Sequence, residues 1–240
     1  MKKTTFIFLF VICALSLTAQ HTIEIKHKYY TMEFDTVQSA EILGFYVQTT
    51  AHSTATPKMP RTGKFARFTP DPMLKGEVLA NDNEYTSWNH DHPDDLMDRG
   101  HINPFTAFDF AEDAALESMY FSNTCPQAKY FNEHQWEALE QHVLKLSRGD
   151  QGAAPIDNIK VWTGVLISVS HPKKMNDVPK PDFYWKVISY TKDGQTVQEA
   201  WLGANETSNH TTSPDAIKTD ASHVKNVVLQ YYPKLKLDFN

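Results

Sequence analysis

Cysteine is nearly missing from this sequence: Cys13 and Cys125 are the only two in 240 residues, too few for a disulfide scaffold. Glycine is also scarce, at nine residues, and no glycine-rich phosphate loop of the P-loop or dinucleotide type occurs, which excludes nucleotide binding by those two devices. Internal repeats, heptads, low-complexity tracts and blocks of like charge are absent, so solenoid, coiled-coil and disordered-tail architectures are excluded too. Positive charge is in deficit, with 23 Lys and Arg against 29 Asp and Glu and a formal net charge of −6. That balance argues against a broad polyanion-binding face, because affinity for nucleic acid comes largely from Lys and Arg on phosphates. What is present is ordinary: 41% apolar and 12% aromatic residues, enough for one globular domain to bury a core without staples or structural metal.

The one long apolar run stands at the start. MKKTTFIFLFVICALSLTA opens on Lys2 and Lys3, continues apolar from Phe6 to Leu15 and ends in small residues before Gln20, the layout of a secretory signal peptide. A membrane-spanning helix needs about 20 apolar residues and fits less well. Ile12 precedes Cys13 where a bacterial lipobox has a small residue, so cleavage is expected near Ala19. The expected division is a signal peptide over 1–19 and one domain over 20–240. The product is then exported, periplasmic or extracellular, with no membrane attachment after cleavage. Losing Lys2 and Lys3 takes the cations from 23 to 21 against 29 acids, a net charge of −8. Only Cys125 remains, and beside Pro126 it reads as a small buried side chain rather than a nucleophile.

Along the mature chain, HKYYTMEFD and AEILGFYVQTT read as two strands. A Pro-containing stretch with Pro57 and Pro60 runs through Gly63 into RFTPDP as loop. The polar, acidic stretch 81–98 reads as a surface loop, followed by a short strand ending at His101, a short helix around AEDAALES and an aromatic strand MYFSN. From Asn132 to Leu146, Trp136, Leu139, Val143 and Leu146 fall within about 40° of a common line, the apolar stripe of a core-facing helix. KVWTGVLISV, FYWKVISYT and QEAWLGA read as further strands. ASHVKNVVLQYY reads as a helix with Val224, Val227, Val228 and Tyr231 on one side. Without a βα repeat, the expected fold class is α+β, with a mostly antiparallel central sheet flanked by helices.

The chemistry is concentrated in DRGHINPFTAFDF and SNTCPQAKYFNEHQWEALE. Asp98, Arg99, Gly100 and His101 set a fixed cation, a point of close approach and an imidazole within four residues. A base that works near neutral pH and a guanidinium suited to a phosphate oxygen are what phosphodiester cleavage requires. Thirty-one residues on, Asn132 opens the amphipathic helix, with Glu140 two turns further. The two start about 12 Å apart along the axis, too far to bind one small ion together, so Glu140 acts through water or orients a neighbour. An amide oxygen is a hard, neutral ligand, and Mg²⁺ keeps several waters and takes phosphate oxygens, so one protein ligand suffices. Asn132 also suits a helix N-cap, and Glu140 also suits a solvated position at the stripe's edge.

Together, DRGH, SN-x-x-PQ and FN-x-x-x-W-x-x-LE, in this order and spacing, resemble the DNA/RNA non-specific endonucleases. The likeness continues in VWTGV and PDFYWKVI, and more weakly in RFTPDP and HKYYTMEFD. The resemblance implies a ββα-metal fold, DNA and RNA as substrates, Mg²⁺ as cofactor with Mn²⁺ able to substitute, and 5′-phosphorylated products. It implies His101 as general base, Asn132 as the sole direct protein ligand of the ion, Arg99 as a phosphate contact, Glu140 as holder of the ion's water and Asn123 as an active-site support. A further phosphate-binding arginine upstream corresponds to Arg61 or Arg67. The departures are INP where LAP is usual, TGV for TGP, and Cys125 where Ser or Thr is common.

Three further features have plain readings. His90 and His92 with Asp91, Asp94 and Asp95 suggest a second metal site, but no Cys or third His recurs at ligand spacing, so an acidic loop is the expectation. Asp98 is expected to fix the local turn. Asn205 and Asn209 are glycosylation sequons that matter only in a glycosylating host. Arg99, Arg61, Arg67, Lys129, Lys173 and Lys174 offer a local positive strip on an acidic chain. Two other function classes fit the same scaffold: a catalytically silent exported binding protein, and a phosphodiesterase for a smaller or non-nucleic substrate.

Overall fold

The computed structural model describes residues 21–74, 81–207 and 212–239; the expected signal segment and Asn209 lie outside them. In chain order the strands are β1 (Thr22–Lys26), β2 (Thr31–Asp35), β3 (Ala40–Gln48), β4 (Met97–His101), β5 (Thr124–Ala128), β6 (Ile159–Leu166), β7 (Lys173–Met175), β8 (Val178–Lys180), β9 (Phe183–Lys192), β10 (Gln195–Ala204) and β11 (Lys218–Thr219). The helices are α1 (Thr50–Thr54), α2 (Asp82–Asp91), α3 (Phe105–Phe108), α4 (Glu112–Ser118), α5 (Glu137–Arg148) and α6 (Ala221–Tyr231). Among the described residues, seven strands form one sheet in the order β1-β2-β3-β6-β9-β10-β11. Every neighbouring pair in it is antiparallel. The expected fold class is therefore the one found.

Period-two alternation divides the core between the two faces of that sheet. On β9, Tyr184 and Ile188 join Trp136, Leu139 and Val143 in the cluster beneath α5, while Trp185 and Val187 join Val224 and Val228 of α6 and the terminal Leu235, Leu237 and Phe239. Lys186 falls on the α5 side of β9 by the same alternation. Gly164 on β6 is required by packing, because a Cβ there would stand 2.1 Å from the Ile42 carbonyl oxygen.

Three local readings of the sequence are corrected. The stretch expected as an acidic loop contains α2. Asn81 caps it by accepting from the Asn83 N–H at 2.9 Å, and Asp82 and Glu84 complement its first turn. Only Tyr85 of α2 is fully buried, so there was no apolar stripe to read. The helix is held instead by Asn89, which exchanges two hydrogen bonds with the Met97 backbone, and by Trp88, which donates to the Asp95 carbonyl.

MYFSN is not a strand. Tyr120 makes a single bridge to Thr69, Phe121–Asn123 is a 3-10 turn, and the strand begins at Thr124. The Asn123 side chain bonds backbone groups of Ser118 and Asn103 and so competes with ladder pairing.

The amphipathic helix begins before Asn132 and begins wide, as a π turn over Phe131–Trp136 in which the Glu137 N–H reaches the Asn132 carbonyl. Phe131 and Trp136 are both fully buried. An α-helix would set residues five apart about 140° round the axis, whereas the wider i→i+5 turn brings them closer to one side. Tyr130 already has helical geometry and no side chain caps this end, so Asn132 is not an N-cap. Downstream, α5 follows the expected stripe and stops at Gly149, whose left-handed φ of 74° lets its N–H close on the Lys145 carbonyl.

Candidate active site

The site is assembled by β4, β5 and the helical segment that follows. β4 and β5 pair antiparallel with Asp98 opposite Gln127, Arg99 opposite Pro126, Gly100 opposite Cys125 and His101 opposite Thr124. Gly100 is needed because a Cβ there would lie 2.0 Å from Gln127 Oε1 and 2.5 Å from Gln127 Cβ. Arg99 and His101, two apart, share one face of β4.

His101 is 8% exposed and packs against the Phe68 ring at 4.9 Å. Burial pushes its imidazole well below the usual histidine range, and the charges of Arg61 and Arg99 push it further the same way. The ring is therefore neutral at neutral pH, and its buried Nε2 has no hydrogen-bond partner. It opens on a cleft of about 300 Å³ lined by Arg61, His101 and Glu140 together with Met59, Phe105 and Thr106. Arg61 sits over Phe68 and Phe105 at 5.8 and 5.9 Å. Arg67 is exposed and is not part of this lining, so of the two upstream arginines the structure brings Arg61 to His101.

Arg99 lies beside the cleft. Its Nη1 donates to Asp82 at 2.9 Å, and its guanidinium rests near the Tyr85 and Phe68 rings at 5.5 and 6.0 Å. Asn132 donates its Nδ2 to Asp98 Oδ2 at 3.0 Å. Asp98 thus reaches across to the helical segment rather than closing a turn. With the amide nitrogen engaged, the Asn132 oxygen is the atom left to meet a hard cation. Glu140, on α5, has its carboxyl pushed up by burial, against the pull of Lys186 and Arg61.

Asn123 has no exposed surface, and its amide is fully used inside the protein. Its oxygen accepts from the Asn103 N–H and Nδ2, and its nitrogen donates to the Asn103 and Ser118 carbonyls. It braces the turn after His101 and is closed to substrate. Asn103 also donates to the buried Glu41 of β3 at 2.8 Å, and burial pushes that carboxyl well up from the usual range. The sequence flagged Asn103 only as a departure from a motif and gave no signal for Glu41.

Residues 13–230 match the family described as DNA/RNA non-specific endonuclease. The chain belongs to that family. It is accordingly a nuclease, a metal-dependent hydrolase of phosphodiester bonds. A chain in the crystal structure titled "Crystal structure of the EndoG/EndoGI complex: Mechanism of EndoG inhibition" shares its fold, with a TM-score of 0.71 at 20% identity over 85% of this chain and 83% of that one. No curated protein matches the sequence.

Several side chains of the nuclease have other employment than their sequence context suggested. Cys125 is buried and its thiol is pushed up, which suits packing and not nucleophilic attack. Asn205 is 2% exposed, accepts from the Ala128 N–H and donates to the Pro126 and Pro181 carbonyls. It cannot receive a glycan in the folded chain, and its real role is to tie down the end of β5. Among the described residues no group of three or more His, Cys, Asp or Glu can hold a metal ion. In the 90–95 region His90 pairs with Asp91, His92 stacks on Trp88 at 3.7 Å and Asp95 binds Lys180. The positive strip is interrupted as well, because Lys129 pairs with Glu133, Lys173 with Asp182 and Arg99 with Asp82.

Proposed function

We propose that this nuclease is a secreted, Mg²⁺-dependent endonuclease that hydrolyses DNA and RNA without sequence preference, using His101 as general base. The observation that carries this reading is a neutral, buried imidazole whose Nε2 is unpartnered at a cleft shared with Arg61 and Glu140. In the reaction His101 accepts a proton from a water in line with the scissile P–O bond. The water oxygen bonds to phosphorus, the 3′ oxygen leaves, and the fragment carries a 5′ phosphate. Arg61 and Arg99 bind the phosphoryl oxygens and neutralise charge that builds there. Because these contacts address phosphate, they carry no base information.

The donor set fits a hard, water-retaining cation. Asn132 presents one neutral amide oxygen, fixed by Asp98, and no cage of carboxylates or imidazoles competes for the ion among the described residues. Mg²⁺, or Mn²⁺ in its place, would supply Lewis-acid stabilisation of the phosphate and the leaving oxygen. Secretion rests on the signal-like layout of residues 1–19.

Digestion of plasmid DNA and of RNA by the chain lacking residues 1–19, with and without EDTA, tests the proposal. Cleavage is expected to stop with EDTA and to return with added Mg²⁺, leaving ends that a 5′-phosphate-dependent ligase accepts. Undiminished digestion in EDTA would remove the metal from the scheme. The two upstream arginines should separate in the same assay. Arg61→Ala is expected to lower kcat/KM by about 10- to 100-fold, the loss of a charge-assisted hydrogen bond, and to reduce the slope of log kcat/KM against log salt by about one. Arg67→Ala should stay within about twofold, as a surface substitution outside the cleft does.

A further inference from the structure

The two arginines that meet phosphate in this scheme stand in different states. Arg61 is held over the Phe68 and Phe105 rings and makes no ion pair in the described structure. Arg99 already has an anionic partner. Its Nη1 donates to Asp82 Oδ1 at 2.9 Å, and the two side chains are 38% and 52% exposed, so solvent and solute both reach the pair. A guanidinium presents a planar fork of donors that suits carboxylate and phosphate alike. Asp82 therefore makes the contact that a substrate phosphate would make.

We propose that Asp82 is a resident stand-in for phosphate: its carboxylate holds the Arg99 guanidinium between turnovers and must yield it to polynucleotide, so Asp82 sets KM without taking part in bond cleavage. Arg99 as a phosphate contact is taken from the proposed function, whereas the ion pair is independent of it. Three features make Asp82 a partner that can be exchanged. The pair is exposed, and an exposed ion pair is held only weakly. Asp82 also has a second favourable setting, because it lies in the first turn of α2, where a carboxylate is stabilised by the amide ends of the helix. It keeps that setting when Arg99 turns to phosphate. Finally, α2 itself need not move. It is pinned by the buried Tyr85, by the two bonds between Asn89 and Met97, and by Asn176, which donates to the Glu84 carbonyl at 3.0 Å. Side-chain rotation alone releases the carboxylate. Nor is Asp82 needed to aim Arg99, since β4 sets where that side chain starts and the Tyr85 and Phe68 rings lie against its guanidinium at 5.5 and 6.0 Å.

Steady-state cleavage by the chain lacking residues 1–19 tests the exchange in the wild type, Asp82→Asn and Asp82→Glu, and in Arg99→Ala with and without Asp82→Asn. Asp82→Asn is expected to lower KM by about two- to fivefold, the factor that one exposed ion pair carries, with kcat within about twofold. Asp82→Glu restores the charge on a longer stem and should return KM toward the wild type. Removing any acid from the path of a polyanion also weakens repulsion, so the background matters: in Arg99→Ala, Asp82→Asn should no longer lower KM. A second reading uses inorganic phosphate and metal-free protein. The Arg99 Nε–H resonance, followed by NMR, should reach half its shift at about two- to fivefold less phosphate in Asp82→Asn than in the wild type. A raised KM in Asp82→Asn would make Asp82 an aiming residue and overturn the proposal. An equal fall in KM in the Arg99→Ala background would overturn it as general repulsion. An Arg99 resonance that ignores phosphate, or responds equally in both chains, would overturn it too. The phosphate reading needs neither metal nor cleavage, so tighter phosphate at Arg99 of Asp82→Asn in a chain that cleaves nothing would count against the proposed function alone.

Discussion

Replacing His101 with alanine is expected to lower kcat on DNA and RNA by about 10²- to 10⁴-fold, the range a positioned general base supplies, while KM stays within a few-fold. The reason for expecting so much from one ring is electrostatic. Burial and the two flanking arginines push the imidazole down, so at neutral pH it is already in the basic form. A depressed histidine loses its basic form only below its own midpoint, so protonation of His101 should not be what limits cleavage as pH falls through 6.5, where an unperturbed histidine would fail. Glu140 is shifted the opposite way, its carboxyl pushed up by burial, so the acid limb should be set by Glu140 before His101 protonates. Rates measured from pH 5 to 9 on the wild type and His101→Ala, with circular dichroism to confirm folding, decide the matter. A fall of less than tenfold in His101→Ala would remove the ring from the chemistry.

The charge argument is sharpened by the ion pairs. An acidic chain must concentrate its cations to hold a polyanion, and six were available as a strip. Three of them, Arg99, Lys129 and Lys173, are tied to carboxylates. The arginine that is both at the cleft and outside any ion pair in the described structure is Arg61, held over two phenylalanine rings. Binding energy should therefore be concentrated at the scissile phosphate, and affinity for flanking polynucleotide should be slight.

What was legible in the sequence was what has a period or a motif. The stripe Trp136, Leu139, Val143 announced α5, and the alternating strands announced an antiparallel sheet. DRGH could be placed on a strand because a short apolar-flanked run precedes a loop. What was not legible depends on partners distant in sequence. The α2 helix is held by caps and by Asn89 on Met97, contacts with no periodic signature. The π turn at Phe131–Trp136 exists because two large rings five residues apart both go inward, and the α-helical wheel hides that. Glu41 and Lys186 stand as single charges inside strand-like runs and Asn205 reads as a glycosylation sequon, and nothing local to any of them signals that the fold buries all three. Choosing Arg61 over Arg67 also required three dimensions, since only Arg61 lines the cleft with His101.

The second large effect is expected at Asn132 and its partner. Asn132→Ala removes the one amide oxygen proposed to meet the cation, and should lower cleavage at fixed Mg²⁺ by about 10²- to 10³-fold, several kcal/mol of stabilisation. Asp98 touches that oxygen only indirectly. Its Oδ2 accepts from the Asn132 nitrogen at 3.0 Å, which fixes which end of a nearly symmetric amide faces the cation. Asp98→Ala should free the amide to turn over and weaken divalent-ion affinity by about 10- to 100-fold, as loss of a supporting partner does at metal sites. Asp98→Asn keeps an oxygen that can accept the same hydrogen bond, so it should fall between the wild type and Asp98→Ala. Affinity for Mn²⁺, read by its electron paramagnetic resonance in protein without substrate, should then decrease in the order wild type, Asp98→Asn, Asp98→Ala, Asn132→Ala. Equal affinity in Asp98→Ala and the wild type would mean that the bond to Asn132 is not what orients the ligand.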